Sequence, residues 1–223
     1  MSLILNIDTA TQTANVSISE NGTIIEGLEN TVQKDHAAFL HPAIAHLMQK
    51  AGKAMGELDA VAVTAGPGSY TGIRVGMASA KGLCTALNKP FITINTLELL
   101  AKDAITHYDG KENDLFCPMI DARRMEVYTA IYDRSLKEIL KPSAMILDHN
   151  SFHEFDGKYT LINFGNGSDK WKRVVKVRNS VFIENVNIGV AMALLSSQRY
   201  VDKTFTDLTY SEPLYLKEFY NGA

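Results

Sequence analysis

Cysteine, tryptophan and long apolar runs are all scarce in this chain of 223 residues. Two cysteines, Cys84 and Cys117, cannot build a disulfide framework and read as two reduced core thiols. No apolar run approaches the ~18 residues that a membrane helix requires. The opening Met1-Ser2-Leu3-Ile4-Leu5-Asn6-Ile7-Asp8 has neither a basic segment nor a cleavage signature. No signal peptide is therefore expected, and the chain reads as a cytoplasmic protein. Excess charge is missing too: 22 basic against 25 acidic residues leave a net of −3, which excludes holding nucleic acid through the overall field. What is present is an ordinary globular balance, 46% apolar and 21% charged, so a disordered chain is excluded. The length fits one large domain or two small ones.

The first half switches period. Leu3–Asp8 is a short apolar run, and Thr13–Glu20 alternates with Ala14, Val16 and Ile18 on one parity, as a half-buried strand requires. Asn21-Gly22 signals a tight hairpin turn into a returning strand over Thr23–Leu28. A helix is expected over Asp35–Ala51, with Asp35 as N-cap, Gly52 as stop, and Pro42 forcing a kink or a late start. Asp59–Thr64 reads as a buried strand, Ser69–Ala86 as a helix, Phe91–Asn95 as a strand and Thr96–Thr106 as a helix. Hydrophilic Thr106–Asp114 marks a boundary. Leu115–Asp121 and Met125–Asp133 are strands around the polar turn Ala122-Arg123-Arg124, with a third over Ser135–Leu140. Tyr159–Phe164 and Val181–Glu184 look like strands and Ile188–Val201 like a helix. The order βββαβαβα followed by a similar opening suggests a duplicated α/β unit with lobes at 1–106 and 107–223, the second shortened.

The most informative stretch joins a strand to a helix through Gly66-Pro67-Gly68-Ser69, with Ser69 placed to cap the helix. A helix start of this kind holds a phosphate or simply makes a tight turn. Gly66, Gly68 and Gly72 give G-x-G-x-x-x-G, which fits neither a dinucleotide fingerprint nor a P-loop. Within the helix, Gly72, Gly76 and Ala80 lie four apart, as do Ala78, Gly82 and Ala86. Each glycine costs about 1 kcal/mol against alanine there. Such faces suit close packing on the chain's own sheet or against another helix, and two flat faces exceed what one sheet contact needs. His36, His41 and His46 are five apart, roughly 140° around a helix, so they cannot share one metal and read as surface or interface side chains. Asp8-Thr9-Ala10-Thr11 and Asp121 end corresponding strands, as Mg²⁺–phosphate ligands or as turn caps. Phe164-Gly165-Asn166-Gly167-Ser168 fits a nucleotide-binding turn or a plain loop. Lys158–Arg178 holds six basic residues and one acid around Trp171, either a solvated face or a contact for RNA phosphates.

Gly66-Pro67-Gly68-Ser69-Tyr70-Thr71-Gly72-Ile73-Arg74-Val75-Gly76, followed by Ala80-Lys81-Gly82-Leu83, resembles the signature of the bacterial TsaB (YeaZ) family, the dimerisation subunit of the tRNA threonylcarbamoyladenosine machinery. Ile7-Asp8-Thr9, Asp35-His36, Asp121-Ala122-Arg123-Arg124-Met125-Glu126-Val127-Tyr128 and Pro213-Leu214-Tyr215-Leu216-Lys217 fit the same family. The resemblance implies an actin-like ATPase (ASKHA, RNase H-like) α/β fold, related to the catalytic paralogue TsaD. Two lobes are implied, each with a mixed sheet opened by antiparallel strands and flanked by helices, the second lobe shortened. Where that paralogue carries a metal-binding H-x-x-x-H, this chain has Thr96 and Leu100, which cannot replace histidine. The resemblance therefore implies a scaffold subunit that activates a TsaD-type transferase acting on the adenosine next to the anticodon of ANN-reading tRNAs. It implies no cofactor of its own, with ATP/ADP and Mg²⁺ on partner subunits or at a shared interface. The implied partners are TsaD, a TsaE-type ATPase and a second copy of the chain, with tRNA met at most indirectly.

The first two helices are expected to form the partner interface, at about 1.5–3 kcal/mol per large side chain fully buried and about 1,200–2,000 Å² in total. The expected contacts are His36, Leu40, Ile44, Leu47, Met48 and Ala51 on one helix and Tyr70, Gly72, Ile73, Gly76, Met77 and Ala80 on the other. Three rivals stay open. An ATP/Mg-dependent transferase or kinase of the actin-like superfamily would place Asp8, Thr9 and Asp121 around Mg²⁺. An RNase H-like nuclease lacks an acid at Thr64-Ala65. A self-associating module without any tRNA role is the third.

Overall fold

The computed structural model describes residues 1–32, 35–184 and 188–217. They divide into two compact units, one drawn from Met1–Thr96 and Ile188–Leu214, the other from 97–184 and 215–217.

In the first unit, β1 (Leu3–Asp8) is buried along its whole length, as a central strand covered on both faces must be. Its neighbours are antiparallel β2 (Ala14–Glu20) and parallel β4 (Ala60–Gly66). β3 (Thr23–Asn30) and β5 (Phe91–Asn95) complete a five-stranded sheet in the order β3-β2-β1-β4-β5. Asn21 and Gly22 both take positive φ, 49° and 82°, the turn that Asn-Gly favours. Helix α1 (His36–Lys50) packs on β2 and β3, and α2 (Tyr70–Leu87) on β4, β1 and β5. α1 is helical on both sides of Pro42, and Asp35 flanks it without a side-chain cap. Ser69 does cap α2, accepting from the Gly72 N–H at 3.3 Å.

The second unit repeats the plan. α3 (Thr96–His107) precedes β6 (Asp114–Asp121), β7 (Glu126–Tyr132), β8 (Glu138–Ile146), β9 (Thr160–Phe164) and β10 (Ser180–Phe182). Their order, β10-β9-β6-β7-β8, matches the first sheet strand for strand, with β6 in the role of β1 and β9 in that of β4. α4 (Ser168–Val174) follows β9 as α2 follows β4. The position of α1 is held only by a short 3-10 turn, His153–Phe155, so the second copy is indeed shortened.

The expected boundary at residue 106 differs from the observed one. Leu97 onward falls with the second unit, while α5 (Ile188–Val201), expected in the second lobe, packs on β1, β2, β3 and β5 of the first. A buried hydrogen bond from Ser196 Oγ to Asn6 Oδ1 (2.6 Å) anchors it there. The sequence pattern does not reveal α4, and the third strand of the second unit runs to Ile146 rather than stopping at Leu140.

Candidate functional site

In the first unit, the tip between β1 and β2 presses onto the start of α2. Asp8 is buried, and its Oδ1 accepts from Thr64 Oγ1 (2.6 Å) and the Ala10 N–H (3.0 Å). Thr9 Oγ1 donates to the Gly72 carbonyl at 2.6 Å, and the Ser69 N–H donates to the Ala10 carbonyl at 2.7 Å. A Cβ on Gly68 would run into the Ala10 carbonyl oxygen, one on Gly72 into that of Thr9, and one on Gly76 into the Thr9 hydroxyl. These glycines let the chain's own loop close on the helix start. Burial pushes the Asp8 carboxyl up, against hydrogen bonds from Thr64 and Ala10 and the nearby His36. Asp8 Oδ2 and both ring nitrogens of buried His36 have no hydrogen-bond partner among the described residues.

The second unit closes its corresponding corner in its own way. The Gly167 N–H donates to the Met119 carbonyl (2.9 Å), and a Cβ on Gly165 would strike that same oxygen. Asp121 Oδ1 accepts from Lys170 Nζ (2.8 Å) and the Arg123 N–H (2.6 Å), and its own N–H donates to Asn166 Oδ1. What burial Asp121 has raises its carboxyl, but the Lys170 hydrogen bond, the Arg123 N–H and the Lys170 charge outweigh it and hold the group low. At these corners the Ala10, Ser69, Asp121 and Gly167 amides donate within the chain and Lys170 engages Asp121 Oδ1, while Asp8 Oδ2 is left unpartnered; no nucleotide step is derived through Asp8, Thr9 or Asp121. Among the described residues no three His, Cys, Asp or Glu side chains group as a metal site. Thr96 and Leu100 are both buried.

The expected partner contacts need correction. Gly72, Ile73, Gly76, Met77 and Ala80 face the chain's own sheet, and Leu40, Ile44, Leu47, Met48 and His36 are buried in the same way. The apolar side of an amphipathic helix has gone to the nearest core, as it does by default. Of the twelve expected contacts, only half-buried Ala51 and exposed Tyr70 are accessible. The Arg74 guanidinium lies over the Tyr70 ring at 4.1 Å.

The outer face is what the two helices leave free. Ala37, Ala38, His41, Pro42 and Ala45 are exposed on α1, and Thr71, Ala78, Gly82 and Ala86 on α2. The helices touch each other, and His41 Nε2 lies 3.2 Å from Ser79 Oγ. Gly82 is the informative residue, because a Cβ there would meet nothing within 4 Å. No contact among the described residues explains a glycine in mid-helix at a cost of about 1 kcal/mol. The second of the two small-residue faces is therefore open, and the first is sealed.

Comparison with known proteins decides the family. Residues 29–153, more than half of the chain, match the family model described as TsaD, tRNA N6-adenosine threonylcarbamoyltransferase. The tRNA threonylcarbamoyladenosine biosynthesis protein TsaB of Bacillus subtilis is 36% identical over 129 residues, 58% of this chain and 54% of that protein. Its Escherichia coli namesake is 27% identical over 226 residues, 96% of this chain and 94% of that protein. The solved structure of YeaZ from Pseudomonas aeruginosa superposes with a TM-score of 0.80 at 25% identity, covering 97% of this chain and all of that one. This chain belongs to the TsaB (YeaZ) family. The fold extends further: the polyphosphate/ATP-glucomannokinase of Arthrobacter superposes with a TM-score of 0.54 at 13% identity, over 90% of this chain, a likeness of fold alone. The architecture is the actin-like ATPase fold. No helix of the described residues is long and apolar enough to cross a membrane.

Proposed function

We propose that this TsaB-family chain is a non-catalytic subunit for threonylcarbamoyladenosine synthesis in tRNA, working in the cytoplasm. It docks on a TsaD-type transferase through the outer faces of α1 and α2 and holds that enzyme in an active arrangement. A TsaE-type ATPase engages the pair, and the same face joins two copies of the chain when no transferase is present. The relatives' names support the pathway. The observation that carries the non-catalytic role is how the chain bonds to itself at both strand ends: Thr9 Oγ1 donates to the Gly72 carbonyl, the Ser69 and Gly167 amides to the Ala10 and Met119 carbonyls, and Lys170 to Asp121. The docking face rests on exposed Gly82 and its small neighbours, which let a second helix backbone come close. Depletion of the protein from its cells, with digestion of bulk tRNA and mass spectrometry of nucleosides, tests the reading. Threonylcarbamoyladenosine should fall toward zero, and an unchanged level refutes the assignment.

A further inference from the structure

The second unit concentrates positive charge. Six of the 22 Lys and Arg residues lie between Lys158 and Arg178 with one acid, leaving 16 basic against 24 acidic elsewhere, a net of −8. The chain is strongly polarised along its sequence although its total is only −3. Trp171 is fully buried against Phe152 and Val177 is buried beside it in the second core, so the tryptophan is not a base-stacking platform. Lys172, Arg173 and Lys176 stay exposed. α4 carries Lys172 and Arg173 and ends before Lys176; from it Lys170 Nζ bonds both Asp121 Oδ1 (2.8 Å) and the Glu126 carbonyl (2.9 Å), which fastens α4 to the hairpin between β6 and β7.

At the tip of that hairpin sit Arg123 and Arg124, both exposed and both at positive φ, 70° and 49°. The tight turn between β2 and β3 uses Asn21-Gly22 for the same backbone region. Folding alone favours Asn-Gly in such a place and disfavours two arginines. The pair is held in a left-handed turn at the tip of the hairpin that Lys170 ties to α4, while Lys172 on that helix lies over the Phe182 ring at 5.8 Å. We propose that this face of the second unit binds the phosphate backbone of RNA directly, rather than meeting tRNA only through a partner. Arginine forks suit phosphate bidentately, and the α4 cations add point charges along the strand. RNA is favoured over an anionic bilayer because a broad negative plane repels a chain of net negative charge, whereas a phosphodiester strand can follow one cationic face. The inference rests on the reading of the chain as a tRNA-modification subunit.

The test measures fluorescence anisotropy of a labelled, unmodified tRNA with the full-length protein over a series of KCl concentrations. One variant joins Arg123→Asn with Arg124→Gly, which removes two charges while restoring the turn chemistry that folding favours. A second joins Lys172→Gln, Arg173→Gln and Lys176→Gln. Each should weaken tRNA binding by about tenfold or more. The salt dependence of log K should flatten by about 0.7–0.9 for each phosphate that is no longer neutralised. The first variant should also melt at a higher temperature than the parent, an outcome that a folding role for the arginines would reverse. The proposal is overturned by unchanged affinity in both variants, by no tRNA binding at the lowest salt, or by equal losses on phosphatidylglycerol vesicles. Gel filtration of the same proteins with the transferase separates the two readings. A parent chain that pairs with the transferase but does not hold tRNA overturns this face alone. One that does not pair overturns the proposed function.

Discussion

Gly82→Leu separates docking from folding more sharply than any other substitution in α2. In the free chain the added side chain enters open space, because nothing lies within 4 Å of a Cβ at Gly82. The helix gains about 0.5–1 kcal/mol of intrinsic propensity. At roughly 2–4 °C per kcal/mol for a chain of this size, the melting temperature should rise by about 1–4 °C. At a helix–helix contact closed by small residues, the same leucine overpacks the interface by about 1–3 kcal/mol, a loss of roughly 5- to 150-fold in affinity for the transferase. Gly76→Ala is the opposite control. Its Cβ would meet the Thr9 hydroxyl and approach Val63 Cγ2 at 3.3 Å, so it should cost the free chain about 1–3 kcal/mol. Differential scanning calorimetry reads the first effect of each variant, and isothermal titration with the purified transferase reads the second. Parental transferase affinity in Gly82→Leu would refute the assignment of the outer face as the docking surface.

Two further outcomes follow from buried groups. The Asp8 carboxyl, raised above its ordinary 3.8 by burial, contributes most below that value, and its contribution is lost as pH rises through the folded-state pKa. Asp8→Asn keeps an acceptor for Thr64 and Ala10, so its melting temperature should match the parent near pH 4 and exceed it as pH rises from there. A gap that narrows with pH contradicts this. Burial pushes the Cys84 thiol up to about 11 and that of Cys117 to about 12, the latter despite its contact with Thr129. Ellman's reagent should therefore label neither thiol in the native protein and both in denaturant, and rapid native labelling would contradict the packing.

The first sheet was legible because its strands carry their own period. Leu3–Asp8 and Phe91–Asn95 are found where the apolar runs place them, and the Asn21-Gly22 turn fixes the hairpin between β2 and β3. α4 was not legible: seven residues hold fewer than two helical turns, and its charges and the preceding Gly165-Asn166-Gly167 read as loop. α5 could not be placed, since an amphipathic period says that a helix has an inward face but not which sheet receives it. The same ambiguity misdirected the contact residues on α2. Gly72, Gly76 and Ala80 share their spacing with Ala78, Gly82 and Ala86, and only the closure of Thr9 and Ala10 onto the helix start, more than fifty residues away in sequence, shows which set is sealed. The signal that separates them is local: Ile73 and Met77 flank the first set and belong to a core, while Arg74 and Thr85 flank the second.

Reconstitution with purified components tests the non-catalytic role most directly. The transferase, the ATPase, this chain, the threonylcarbamoyl donor and an unmodified ANN-reading tRNA are combined with one protein omitted at a time, and the modified nucleoside is quantified by mass spectrometry. The complete mixture should form product, the mixture lacking this chain almost none, and the chain with donor and tRNA alone none at all. Product from the chain alone, or undiminished product in its absence, would contradict the assignment.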